Sequence, residues 1–89
     1  MNTSTEARKQ LEQARAQAQS AAEVINNLVA VHDYQDVAAL VTRAGAMLLA
    51  SGLALMNNDD EAALDHIDTA EDLLDNIYDI IGVDIEDED

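Results

Sequence analysis

The chain contains no proline, no phenylalanine and no tryptophan, and sixteen of its apolar residues are alanine. A core built from Ala, Leu, Ile and Val without a helix breaker belongs on helices, because strands draw on β-branched and aromatic side chains. Apolar residues make up 48% of the sequence, enough for a packed core and too many for a disordered chain. A length of 89 residues suits one domain. The lack of cysteine excludes a disulfide framework, a thiol nucleophile and a thiolate metal site.

Capping signals and apolar spacing divide the chain into three predicted helices. The first covers about residues 3–31, opened by Thr3 and Glu6 at capping-box spacing. Its apolar seam is Ala7, Leu11, Ala14, Ala18, Ala21, Ile25 and Leu28, with Gln10, Gln13, Gln17 and Gln19 on the solvent side. His32-Asp33 marks a break with Asp33 as the expected N-cap, and the second helix covers about residues 34–56. Asn57-Asn58-Asp59-Asp60 is the second turn, and the third helix covers about residues 60–81, closed by Gly82. Residues 1–83 form the expected domain and residues 84–89 an acidic flexible tail. Short connections predict antiparallel neighbours, hence an all-α three-helix bundle or helical hairpin.

No apolar run follows the N-terminal Met-Asn-Thr-Ser, so no signal peptide is expected and a cytoplasmic location is. The segment from Val37 to Met56 is long and apolar enough to be weighed as a membrane span. Arg43 within it and Asp on both flanks favour a bundle helix, with no membrane partner.

The third helix carries the clearest pattern. One face reads Ala63, Ile67, Ala70, Leu74, Ile77 and Ile81, widened by Leu64, Leu73 and Ile80. Two positions earlier, about 200° around the helix, lie Glu61, Asp65, Asp68, Asp72, Asp75 and Asp79. Every member of this second series is acidic. Asp is a mediocre helix former and like charges one turn apart repel, so local stability does not select the ladder. The chain carries a formal charge of −15, of which residues 59–89 hold −14, while residues 1–31 sum to zero. Adaptation to high salt should acidify the whole surface, which the neutral first helix does not match.

The second helix is apolar around its circumference from Ala44 to Met56 apart from Ser51 and its glycines. Two neighbours in a bundle leave part of such a helix wet. Ala38, Gly45 and Gly52 recur every seven residues and allow close helix contact, so this stripe, with Leu49 and Met56, is the expected seam of a homodimer.

Tests for chemistry find no site. His32 and His66 match no metal-binding spacing, and the acidic stretches lack the register of a calcium loop. No glycine-rich phosphate loop occurs, and four basic residues are too few for a nucleic-acid-binding surface. Ser4, Ser20 and Ser51 have no base at readable spacing. No catalytic residue, cofactor or metal is expected, and the chain is read as a binding protein.

In size, charge and its one acidic face, the chain resembles the small acidic helical antagonists of phages and mobile elements. These include DNA-mimicking antirestriction proteins and anti-CRISPR proteins, and bacteriocin immunity proteins are similar in kind. The resemblance is to a functional class, without a residue motif, so no family site transfers to this chain. It implies stoichiometric inhibition through a basic or nucleic-acid-binding surface of a partner protein. The Glu61-to-Asp79 ladder, about 27 Å long, is then the docking face. The alternative is a structural or adaptor module that recruits a partner helix through an apolar surface.

Overall fold

The computed structural model describes residues 3–30 and 33–86, with side chains to residue 82. The fold is all-α: α1 spans Ser4–Asn26, α2 spans Gln35–Met56 and α3 spans Asp60–Glu86. The helices form an antiparallel three-helix bundle in which α1 and α3 both pack on α2, while their own backbones do not approach each other. Arg8 at the start of α1 donates to the Met56 carbonyl at the end of α2 (3.4 Å). Ser51 near the end of α2 donates to the Ala63 carbonyl near the start of α3 (3.0 Å). α2 is therefore the central helix, flanked on two sides.

The caps explain where the helices begin and stop. Thr3 accepts from the Glu6 backbone N–H (3.1 Å), as its capping-box spacing predicts. Asp59 caps α3 by accepting from the Ala62 N–H (3.1 Å). Between α2 and α3, Asn58 adopts a left-handed conformation with φ 60. Its N–H bonds the Leu55 carbonyl, and the Asp59 N–H bonds the Ala54 carbonyl at 2.9 Å. That pairing is a Schellman closure, which satisfies the last carbonyls of α2 and turns the chain directly into α3.

Three boundaries differ from the sequence expectation. First, α1 stops at Asn26 rather than near residue 31. The Asn27 side chain donates to the Glu23 carbonyl (2.7 Å), taking over an acceptor at the helix end, and Asn27 becomes the C-cap. Second, the N-cap position of α2 is Tyr34, at φ 63, rather than Asp33. Third, α3 runs through Gly82 to Glu86, and Gly82 does not adopt a positive φ. Without proline after it, a single glycine costs only about 1 kcal/mol in a helix and need not end it. Residues 84–86, expected in a flexible tail, are thus helical. The remainder of that tail, residues 87–89, and His32 lie outside the described residues.

The interior is made of small side chains. Buried apolar residues are Ala22, Val37, Ala39, Ala44, Ala46, Ala50, Ala63, Ala70 and Ile77. Alanine lets helix axes approach toward the lower end of the usual 8–10 Å range. Buried Ser51 fits among them because its hydroxyl is satisfied by Ala63 across the α2–α3 contact. On α3 the face predicted as core does face α2, with Ala63, Ala70 and Ile77 buried and Ile67 and Leu74 half-buried. Ile81 and Ile80, at the far end of that face, are more exposed, and Leu64, expected to widen the face, is 61% exposed because it lies on the flank of α3 away from α2.

Candidate functional site

Because α3 turns its Ala63–Ala70–Ile77 face to α2, helix geometry sends the ladder to the opposite side. Glu61, Asp65, Asp68, Asp72, Asp75 and Asp79 are all exposed, so the structure gathers the six predicted carboxylates on one outer face. No cation pairs with them among the described residues. The four bases lie elsewhere: Arg8 reaches the end of α2, Arg15 pairs with Glu12 and bonds Gln19 (2.8 Å), and Lys9 and Arg43 are exposed. Hydrogen bonding to the Arg15 guanidinium holds the Glu12 carboxyl below the usual carboxylate range. The acid face thus presents negative charge to solvent without internal neutralisation.

A second surface belongs to α2. Val41, Leu48 and Leu55 recur every seven residues, share one side of the helix, and are 50%, 50% and 54% exposed. Leu48 lies about 200° around the helix from buried Ala50 but only about 40° from buried Ala44, so the stripe runs along the edge of the side that α3 covers. Leu64 and Tyr78 on α3 are also exposed, at 61% and 70%. The sequence reading expected a wet portion of α2 but did not single out these three residues. It named instead Ala38, Gly45, Leu49, Gly52 and Met56. Of that seam Ala38 is exposed, while Gly45, Leu49, Gly52 and Met56 are half-buried. A Cβ on Gly52 would meet the Leu11 side chain at 3.8 Å, so part of the glycine stripe is used inside the protomer against α1. Gly45 faces open space.

A cleft of about 450 Å³ opens between α1 and α3, floored by Ala46 and Met47 of α2 and edged by Gln19, Glu23, Arg43 and Leu73. A neighbouring cleft of about 390 Å³ includes Glu12, Arg15, Ala50 and half-buried His66. Among the described residues no three His, Asp or Glu side chains gather closely enough to hold a metal ion. Ser51, the one buried serine, is engaged with Ala63 rather than with a base. α2 is long and apolar enough to cross a membrane by length and composition, and here it lies between two other helices. No family model matches the chain, and no curated protein or solved structure is significantly similar to it.

Proposed function

We propose that this chain is a non-enzymatic, cytoplasmic binding protein that docks the outer face of α3 on a basic surface of a partner protein. The partner surface fits best as one that otherwise holds nucleic acid, so that docking inhibits the partner by occupation. Support comes from one observation: six carboxylates stand exposed on a single helix face with no cation paired to them among the described residues. Carboxylates one helical turn apart, on the order of 5–6 Å, approximate the spacing of phosphates along a strand. The face needs no cofactor, and with a −15 charge the chain itself repels nucleic acid.

A second reading, an adaptor that recruits a partner helix, is favoured by the exposure of Val41, Leu48 and Leu55. Charge separates the two. Asp65, Asp68, Asp72 and Asp75 changed together to Asn should leave the fold intact and raise its stability by about 1 kcal/mol, through relief of like-charge repulsion along α3. Immobilised wild type and this variant are compared for capture from lysate of cells that naturally carry the chain. Basic proteins retained by wild type, released by moderate salt and lost from the variant are the expected result. Equal retention by both would refute acid-face docking and leave the apolar surface as the binding face. Replacement of exposed Lys9 on α1 by Gln serves as the control that keeps binding.

A further inference from the structure

We infer that the open side of α2 and α3 receives a basic amphipathic helix from another protein. The inference rests on the partner-helix reading above and names the chemistry of that partner. Val41, Leu48 and Leu55, each about half exposed, recur every seven residues along about 21 Å of α2. Apolar side chains of a second helix recur at matching intervals and can interleave with such a stripe, whereas the two-residue period of a strand does not match it.

α3 supplies the charge that selects among helices. Leu64, Asp68, Glu71, Asp75 and Tyr78 follow one another in steps of three or four residues, so they form one row along α3. All five are exposed, and among the described residues no cation pairs with the three acids. Helix geometry puts this row on the flank opposite His66, Thr69 and Leu73, which line the clefts between α1 and α3. On α2, Ala46 lines the same clefts and Leu48 lies about 200° around from it. The acid row and the apolar stripe therefore border the same side of the α2–α3 contact. The Ser51–Ala63 hydrogen bond sets their register. Glu71, eight residues beyond Ala63, lies level with the position eight residues before Ser51, two residues from Val41.

Charge on this side has one sign and lies along one flank. α1 turns Leu11 toward Gly52 and Glu12, Arg15 and Gln19 toward the cleft. Its other flank carries Gln10, Ala14, Gln17 and Ala21, none of them ionisable. Arg43, the one base of α2, edges the cleft. The matching partner is thus a helix whose apolar face is bordered by Lys or Arg on one flank and by neutral residues on the other.

The test titrates the full chain with synthetic peptides of about 18 residues, which as helices span about 27 Å and cover the stripe. One has leucines in heptad spacing with lysines along one flank. A second permutes the same residues so that no apolar face forms, and a third replaces each lysine by glutamine. The methyl resonances of Val41, Leu48 and Leu55 report where each peptide sits. The patterned lysine peptide should move those methyls with an affinity on the order of micromolar, and the other two should bind at least about tenfold more weakly. Leu48→Gln should weaken binding about tenfold and Glu71→Gln several-fold, with both variants folded by circular dichroism because both side chains are exposed. Glu71 lies outside the six-acid ladder, so its effect does not depend on docking of that ladder. A glutamine peptide that binds as tightly as the lysine peptide would overturn the basic partner and leave the partner-helix reading standing. If no peptide moves the stripe methyls, both fall. Equal binding of the permuted peptide, or a Leu48→Gln or Glu71→Gln protein that binds like wild type, would also overturn the inference.

Discussion

The interior and the exposed side of α2 use apolar residues in opposite ways. Seven of the nine buried apolar side chains are alanines, whereas Val41, Leu48 and Leu55 are about half exposed and Leu64 is 61% exposed. The smallest apolar residues bring the helices together, and several of the largest are left facing outward. Alanine loses no side-chain entropy on burial, but each buries little area, so such an interior gains its stability from many close backbone approaches. The comparison teaches that apolar content alone does not measure a core. A chain that is 48% apolar has here a thin interior and apolar surface to spare.

The largest expected effect comes from forcing the interior to accept what the outer face carries. Ala70 is 1% exposed at the α2–α3 contact, and Ala70→Leu should destabilise the fold by about 1–3 kcal/mol through overpacking. Urea unfolding of the variant checks this, and an unchanged midpoint would mean that the helices are not closely packed there. A smaller effect of opposite sign is expected on α2. Gly45→Ala adds a Cβ in open space and should stabilise the protomer by up to about 1 kcal/mol, read as a higher thermal midpoint. A loss at this position would show that the neighbourhood of Gly45 is tighter than the fold describes.

The smallest effect concerns the Glu12–Arg15 pair on α1. The Glu12 carboxyl titrates below its ordinary range because Arg15 hydrogen-bonds its charged form. A depressed folded-state value means that the contribution of the pair is present above the unfolded-state value. It is lost as pH falls through the lowered one. Both side chains are near the surface, so thermal midpoints of wild type and Glu12→Gln should differ little at neutral pH. Carbon-detected titration should place the Glu12 carboxyl below the ordinary Glu range, and a value at or above that range would contradict the pairing.

Much of the fold was legible in the sequence because it is encoded locally. Thr3 caps where its spacing places it, Asp59 caps α3 from within the expected 57–60 turn, and α3 separates its apolar and acidic series so cleanly that its orientation on α2 follows. The ends of α1 and α3 were less legible. Asn27 and Gly82 are both compatible with a helix end, and only the first serves as one. The orientation of α2 could not be read at all, for a physical reason. A helix that is apolar all round has no polar face to fix its rotation, so which residues stay wet depends on where both neighbours settle. Leu11 settles near Gly52, and Ser51 joins α3, which leaves Val41, Leu48 and Leu55 outside. The same argument explains why the acid ladder could be named in advance and the apolar stripe could not.

The most direct test of the contrast between interior and outer face follows methyl resonances as a soluble, uncharged paramagnetic agent is added. The Val41, Leu48 and Leu55 methyls should broaden together, because they meet solvent on the outer side of α2. The methyls of Ala46 and Ala70, buried between the helices, should be spared. Broadening of the buried alanines, or protection of all three of Val41, Leu48 and Leu55, would contradict the account.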